Sequence, residues 1–168
     1  MIAYEIGTSA TTIKLSDRVL QHFETHRQRR WYHSEAGGQL FARFAEGSVN
    51  VVEATGPRNT DQRGRTYYRP DRNAEQREID EMFKRGLHFV GDWHTHPENF
   101  PTPSPSDKLS IAETLAKSRH ALNGLLLVIV GKASAPEGMH VSIASEGSLI
   151  ELTARGRQPR PKRVVRWI

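Results

Sequence analysis

The segment from His88 to Asp107 constrains the fold more than any other part of this sequence. Residues 88–96 alternate between two faces as a β-strand does, and they lead into the loop Pro97–Ser106, which four prolines stiffen. A helix is predicted to begin at Ser106 or Asp107 and to run to about His120. The predicted strand and helix are therefore joined by a long proline-rich loop.

Metal binding is the chemistry that this segment favours. Residues two apart on a strand project to the same face, so His94 and His96 should lie about 6–7 Å apart at Cα, close enough to share one ion. Asp107, delivered by the stiff loop, would be the third ligand. Two histidines and one carboxylate leave a fourth tetrahedral position for water, which is typical of catalytic zinc. Because the chain lacks cysteine, thiolate ligands and disulfides are excluded.

The remaining pattern predicts a mixed β-sheet packed against helices, of class α/β or α+β, as a single domain over residues 1–153. The stretch Leu125–Gly131 is continuously apolar and should be a central strand covered on both faces. The other predicted elements are a strand at Thr12–Leu15, a helix capped by Ser16, a hairpin of Gly38–Phe44 with Ser48–Thr55, a loop at Gly56–Gly64, a helix at Asp71–Arg85, and a hairpin of Met139–Ala144 with Ser148–Thr153.

The net charge of +5 belongs to the end of the chain. Residues 155–168 carry six Lys and Arg and no acid, which leaves 18 basic and 19 acidic residues elsewhere. We therefore interpret residues 154–168 as a basic tail, and a nucleic-acid partner is not expected for the domain. No apolar run reaches membrane-spanning length and the N-terminus lacks a secretory pattern, so we expect no membrane partner and a cytoplasmic location.

The motif H-x-H, seven residues, S-x-x-D, formed by His94, His96, Ser104 and Asp107, resembles that of the JAMM (JAB1/MPN/Mov34) zinc metallopeptidases. An upstream glutamate before a Gly-containing strand also belongs to that motif, and Glu35 in SEAGGQLFAR matches it. The resemblance implies a single MPN/JAB domain of cytidine-deaminase-like architecture. It also implies Zn²⁺ held by His94, His96 and Asp107, Glu35 as the proton shuttle, and Ser104 as a hydrogen-bond donor to the tetrahedral intermediate.

The run FVGDWHTHPENFPTPSPSD, preceded by YYRPDRNAEQREID, resembles short bacterial JAB proteins encoded beside E1- and E2-like enzymes. In antiphage systems of the CBASS kind, such a peptidase removes a nucleotidyltransferase (CD-NTase) that has been conjugated through its C-terminus. The resemblance implies an isopeptidase acting on a protein conjugate, either of a ubiquitin-like protein or of a nucleotidyltransferase. Tyr67, Tyr68 and Arg69 are candidates for binding an extended C-terminal peptide, or are simply half-buried strand residues.

Alternative roles exist for the individual residues. Asp107 could be only a helix N-cap, and Ser104 only a turn residue, with Ser106 as a competitor in another register. Glu53 and Glu98 are rivals of Glu35 as the base. Asp92 shares strand parity with His94 and could orient a ligand histidine.

Two alternative functions remain at this point. The first is a non-catalytic MPN scaffold, although such relatives usually lack ligand residues that this chain has. The second is a DNA-associated JAB protein of the RadC type. A zinc nucleobase deaminase is excluded, because those enzymes need a PCxxC pair.

Overall fold

A ten-stranded mixed sheet with helices on both faces forms the core of the described chain. The computed structural model describes residues 1–7, 9–117 and 124–156 and the backbone of residues 164–166. Within these residues the elements are β1 (Ile2–Glu5), β2 (Thr12–Leu15), α1 (Asp17–His26), β3 (Gly37–Ala45), β4 (Ser48–Ala54), β5 (Gln62–Gly64), β6 (Tyr67–Arg69), α2 (Arg72–Lys84), β7 (His88–Thr95), α3 (Pro105–Lys117), β8 (Leu125–Val130), β9 (Met139–Ser145), β10 (Ser148–Glu151), β11 (Thr153–Ala154) and β12 (Val164–Arg166).

The strands of the large sheet are ordered β11-β1-β2-β4-β3-β7-β8-β9-β10-β12, and β5 with β6 forms a separate two-stranded hairpin. Two neighbouring pairs are parallel, β2 with β4 and β7 with β8, and the other pairs are antiparallel. Parallel neighbours need a crossover, and the β7–β8 crossover contains α3. This connection brings the start of α3 back over the end of β7.

The central strand β8 separates two apolar cores, one on each face of the sheet. All six of its residues are buried. Alternate residues beginning with Leu126 pack with the larger cluster, and those beginning with Leu125 pack with Ile111 of α3. The predicted burial of this strand on both faces is thus confirmed, and it follows from the period of two along a strand.

Trp93 anchors the larger core beneath β7. Its ring packs against Phe23 and His22 of α1, and its Nε1–H donates to Thr55 O at 2.8 Å. Its neighbours in sequence therefore project to the opposite face, where α3 lies. The side-chain direction of the β7 residues is fixed by this one large buried ring.

The predicted fold class, a mixed sheet packed against helices, is confirmed, and the helices and hairpins lie close to their predicted bounds. Two local predictions differ. The loop Gly56–Gly64 ends in strand β5, and α3 begins at Pro105 rather than at Ser106 or Asp107. The helix is described to Lys117, so its predicted extension to His120 lies outside the described residues.

The segment interpreted as a basic tail takes part in the sheet at two points. Ala154 of β11 pairs with Tyr4, and the backbone of residues 164–166 pairs with β10 as an additional edge strand. Residues 157–163 and 167–168 lie outside the described residues. The boundary after residue 153 stays a prediction.

None of the helices in the described part of the chain is long and apolar enough to span a bilayer. The longest are α2 and α3, with 13 residues each. A helix that spans a bilayer needs about 20 predominantly apolar residues.

Candidate metal centre

His94 and His96 lie side by side at the end of β7. The Nε2 atoms of the two rings are 3.1 Å apart. The backbone N–H of His96 donates to Val130 O at 2.9 Å, so pairing with β8 continues past Thr95 and keeps the two histidines on one face. The sequence prediction that these side chains converge agrees with this geometry.

Asp107 reaches the same point from the first turn of α3. Its Oδ1 is 3.2 Å from His94 Nε2, and its Oδ2 is 3.3 Å from His96 Nε2. The carboxylate therefore faces both rings at once. Among the described residues, these three side chains are the group of His, Cys, Asp or Glu whose ligand atoms lie within 4.8 Å of one another.

A reciprocal pair of hydrogen bonds at the start of α3 holds Asp107 in place. Ser104 Oγ accepts from the Asp107 N–H at 3.2 Å, and Asp107 Oδ2 accepts from the Ser104 N–H at 2.7 Å. This is a capping box with Asp at the third helical position, and Pro105 occupies the first, where its missing N–H costs nothing. The S-x-x-D spacing is thus a structural requirement of the helix start as well as part of the motif.

The donor atoms fit a metal ion. A tetrahedral ion with bonds of about 2.0–2.1 Å has ligand atoms roughly 3.3–3.4 Å apart. The three separations observed here are 3.1, 3.2 and 3.3 Å.

Electrostatics keep the Asp107 carboxylate charged. Burial alone would raise the pKa of Asp107, but hydrogen bonds from His94 and His96 hold it well below its usual range. Burial opposes protonation of His96, yet the Asp107 hydrogen bond and the charges of Asp107, Glu35 and Glu98 raise its pKa overall. The carboxylate of Asp107 is therefore charged at any pH near neutrality.

Glu35 lies on the edge of the same cavity, which has a volume of about 560 Å³ and is also lined by His94, His96, Ser104 and Asp107. The residue is 6% exposed and lies two residues before the start of β3, whose Gly37 pairs with His94. Burial raises the pKa of Glu35 to about 7, with a smaller opposing effect of His96. A carboxyl group in this state can both accept and release a proton near neutral pH.

The structure separates Glu35 from its rivals. Glu53 pairs with Arg18 at 3.0 Å, alongside α1, and it does not line the cavity. Glu98 does line the cavity, and its Oε2 lies 3.8 Å from His96 Nδ1, but its side chain is 55% exposed. An exposed carboxylate keeps its hydration, whereas the buried Glu35 has lost most of it.

Asp92 lies deeper in the cavity, two residues before His94. Burial raises the pKa of its carboxyl to about 7, and nearby Glu75 adds to the shift. The interactions acting on Asp92 include a hydrogen bond with Thr114 of α3. This contact with the helix favours a structural role for Asp92 over the alternative role of orienting a ligand histidine.

Tyr67, Tyr68 and Arg69 all line the cavity, but they differ in setting. Tyr68 donates to Asp61 Oδ2 at 3.0 Å, and its ring covers Gly37 so closely that a Cβ there would lie 2.6 Å from it. Tyr67 is 49% exposed, with the Arg69 guanidinium 5.9 Å from its ring centroid. Tyr68 therefore holds the β5–β6 hairpin, and Tyr67 and Arg69 are available to a ligand.

Sequence reasoning missed three buried residues near the site, which are Thr95, Gln28 and His140. Thr95, between the two histidines, is fully buried and bonds to the residue after Glu35, and Gln28 bonds to Thr95 from the loop after α1. His140 is also buried close by, and burial together with the charges of His94 and His96 lowers its pKa to about 4. Only the position of Thr95 within H-T-H gave any signal in the sequence.

Comparison with known proteins adds independent information. Residues 16–144 match the family model described as prokaryotic homologues of the JAB domain. The chain is 26% identical over 123 residues to a CD-NTase/cGAS isopeptidase of Escherichia coli (strain TW11681), covering 71% of this chain and 76% of that protein. It is 35% identical over 81 residues to a probable metalloprotease, y4qB, of Sinorhizobium fredii, covering 46% and 49% of the two chains.

The solution structure of protein DSY2949 from Desulfitobacterium hafniense has a similar fold. It superimposes with a TM-score of 0.60 at 22% sequence identity, covering 83% of this chain and 88% of that one. At this identity the likeness concerns the fold alone.

Proposed function

Because the chain belongs to the family of prokaryotic homologues of the JAB domain, we propose that it is a zinc-dependent isopeptidase of the JAMM type that releases a protein conjugated through its C-terminus. The observation that carries this proposal is the convergence of His94, His96 and Asp107 on one point in a cavity that also contains the buried Glu35. Relatives named isopeptidase and metalloprotease support a hydrolase.

His94, His96 and Asp107 would hold the ion. Zinc suits a set of two imidazoles and one carboxylate, and three protein ligands leave one position open. When bound, zinc supplies Lewis acidity and makes a water molecule acidic near neutral pH. The cavity beside the three ligands gives a substrate carbonyl access to this position.

Glu35 would move the proton. Its carboxylate would accept a proton from the attacking water as the water oxygen bonds to the carbonyl carbon and makes that carbon tetrahedral. It would then donate this proton to the nitrogen of the leaving amine as the C–N bond breaks. In the metal-free chain, burial raises the pKa of Glu35 to about 7, and a carboxyl group with a pKa between its ordinary value and 7 can both accept and return a proton. The amine nitrogen leaves as a neutral or protonated lysine side chain, and the carbonyl carbon becomes a new C-terminal carboxylate.

Ser104 would donate to the oxygen that gains charge. Its Oγ accepts a hydrogen bond from the Asp107 N–H, which leaves the Ser104 hydroxyl hydrogen to donate to another group. In this structure the Ser104 Oγ lies 2.8 Å from the Ser106 Oγ, and either hydroxyl can be the donor. The Ser104 side chain faces the cavity. A donor placed before the reaction costs no reorganisation as charge develops.

Ser104→Ala is expected to lower kcat by about 10²–10³-fold while one zinc per chain is retained, because a single donor to the developing oxyanion has this value. Loss of the cap should also lower the free energy of unfolding by about 1 kcal/mol. Steady-state kinetics, zinc content and thermal unfolding measure these effects. Ser106→Ala is the matched control, which loses only the Ser104–Ser106 contact; an equal loss of kcat in that variant would contradict the role of Ser104.

The substrate class follows from the relatives and from the shape of the site. Several relatives are named CD-NTase/cGAS isopeptidases. The cavity is open, and the exposed Tyr67 and Arg69 beside it can contact an extended peptide and its carbonyl oxygens. We therefore infer that the substrate is a CD-NTase joined through its C-terminus to an amine, with a ubiquitin-like conjugate as the second choice and E1- and E2-like enzymes as the source of the conjugate.

The proposal predicts cleavage of a CD-NTase whose C-terminus is joined to a reporter protein. Wild-type protein loaded with zinc should release the intact CD-NTase with its native C-terminus, as identified by mass spectrometry. Treatment with a chelator should abolish release, and added zinc should restore it. A ubiquitin-like protein joined to the same reporter is the parallel substrate.

Specificity is tested by shortening the CD-NTase tail. If the cavity reads the C-terminal peptide, removal of the last few residues should abolish release, whereas the same change in the reporter should have no effect. Zinc-independent release, or no release from either fusion by a zinc-loaded protein, would contradict the proposed function.

A further inference from the structure

The buried amide of Gln28 connects three segments around the candidate site. Gln28 follows α1, is 1% exposed and makes three hydrogen bonds. Its Nε2 donates to His33 O and to Arg65 O, at 3.0 Å each. Its Oε1 accepts from the Thr95 hydroxyl at 3.1 Å. One side chain thus joins the loop before Glu35, the turn of the β5–β6 hairpin, and strand β7.

Thr95 carries this connection into the metal-ligand strand. It lies between His94 and His96, and its side chain projects to the opposite face, where it is fully buried. Its Oγ1 accepts from the Ala36 N–H at 2.9 Å, and its backbone N–H donates to Ala36 O at 2.7 Å. The residue that separates the two histidines is therefore bonded twice to the residue that follows Glu35.

The backbone of Glu35 is held from its other side by the hairpin. The Glu35 N–H donates to Gly64 O at 2.7 Å, and Glu35 O accepts from Arg63 Nε at 2.6 Å. Gln28 bonds to Arg65, the next residue of the same hairpin. Both supports of Glu35, the hairpin and Thr95, thus meet at the Gln28 amide.

We propose that Gln28 is a positioning residue, which acts through Thr95 to fix Glu35 relative to the metal ligands. The functional part of this proposal rests on the proposed isopeptidase activity. The Gln28 carbonyl accepts the Thr95 hydroxyl hydrogen, and this orients a Thr95 lone pair toward the Ala36 N–H. A glutamine provides the one acceptor and two donors that these contacts need, whereas glutamate lacks the donors and methionine lacks all three.

The rate should be sensitive to the position of Glu35, because a proton shuttle must stay within hydrogen-bond reach of the reacting atoms. A displacement of about 1 Å can cost on the order of 10²-fold in rate. Gln28 touches neither the metal ligands nor the cavity among the described contacts, so its loss should leave metal binding intact. The expected consequence is a change in kcat with little change in KM.

The test variants are Gln28→Met and Thr95→Val. The controls are Thr95→Ser, which keeps the hydroxyl, and Gln76→Met, which removes an exposed helix glutamine that donates to Asp80. Thr95→Val keeps the side-chain volume and is the informative variant if Gln28→Met fails to fold. The first readout is amide hydrogen exchange at Ala36 in the metal-free protein, measured by NMR. The second is the pair kcat and KM on the CD-NTase fusion, with zinc content measured alongside.

We expect Ala36 to exchange about tenfold faster or more in Gln28→Met and Thr95→Val, and kcat to fall on the order of 10- to 100-fold with KM within about twofold. Thr95→Ser and Gln76→Met should stay within about threefold of wild type in both measurements. Zinc content should be the same in all variants. The double variant Gln28→Met, Thr95→Val should lose less than the product of the single losses, because both changes remove one connection.

Unchanged Ala36 exchange in Gln28→Met and Thr95→Val would overturn the proposal, and so would faster exchange with an unchanged kcat. If wild type proves inactive on every fusion, the proposed function fails. The exchange readout still decides whether Gln28 holds the Glu35 backbone against the metal-ligand strand.

Discussion

Glu35→Gln should retain one zinc ion per chain and lose kcat on the order of 10³-fold. Glutamine keeps the size of the side chain and its place beside the cavity, but it cannot accept a proton from water or return one to the leaving nitrogen, and general acid–base catalysis has about this value. KM should change little, because Glu35 is not proposed to bind the ground-state substrate. Initial rates on the CD-NTase fusion, with zinc measured by elemental analysis of the same samples, check both parts.

The pH profile of the wild type provides a second signature of Glu35. Burial raises the pKa of this carboxyl from its ordinary 4.5 to about 7 in the metal-free chain, and a bound cation would move it back toward the ordinary value. The base form exists above the pKa, so activity should fall as pH decreases through some point between 4.5 and about 7. The residual activity of Glu35→Gln should lack this acidic limb.

Glu98→Gln is the matched control for this substitution. Glu98 carries the same functional group and lines the same cavity, but its side chain is 55% exposed. We expect its kcat to stay within about threefold of wild type. If Glu98→Gln were as inactive as Glu35→Gln, or if Glu35→Gln kept substantial turnover, the assignment of the proton shuttle to Glu35 would be wrong.

The local parts of this architecture were predictable because each is encoded by neighbouring residues. Both predicted hairpins turn at a Glu-Gly pair, and Gly47 and Gly147 adopt positive φ angles of 65° and 77°, which glycine accepts without strain. The direction of His94 and His96 follows from strand periodicity alone. The capping box that holds Asp107 is also local, although the predicted helix start lay one or two residues too far along the chain and Asp107 is the third helical residue rather than the N-cap.

The long-range parts were not predictable from one sequence. Strand β1 pairs with both β2 and β11, and the pairing with β11 joins residues about 150 positions apart in the chain. Nothing local in Ile2–Glu5 indicates this partner. Gln28 is likewise an ordinary polar residue in a charged run, and its role depends on contacts with His33, Arg65 and Thr95 that exist only after the sheet and the hairpin have formed.

The roles of the motif residues Ser104 and Asp107 were only partly predictable from the sequence. The sequence left Asp107 as either a helix N-cap or a site residue, and Ser104 as either a turn residue or a site residue. The structure places both side chains in the cap and on the cavity. The two interpretations are compatible, because the cap uses the Asp107 N–H, the Ser104 N–H and one lone pair from each side chain. This leaves the Ser104 hydroxyl hydrogen and the remaining Asp107 lone pairs for chemistry.

Asp107→Asn should weaken zinc binding by more than about 100-fold and abolish detectable cleavage. An amide keeps the shape of the side chain and can still accept the Ser104 N–H, so the start of α3 should survive, but it does not supply the negative charge that balances a divalent cation between two neutral imidazoles. Losing even an outer partner of a ligand typically costs 10- to 100-fold in metal affinity, and Asp107 faces both histidines directly.

Thermal and chemical unfolding with added zinc measure this loss without any substrate. An ion that binds only the folded chain stabilises it by about 2.7 kcal/mol at 100 times its Kd. At the same zinc concentration, a 100-fold weaker site gives only about 0.4 kcal/mol. Wild type and Glu98→Gln should therefore show the larger stabilisation and Asp107→Asn should show almost none. If Asp107→Asn were stabilised by zinc as strongly as wild type, the ion would be held elsewhere, and the metal centre described here, with the hydrolytic mechanism that depends on it, would have to be abandoned.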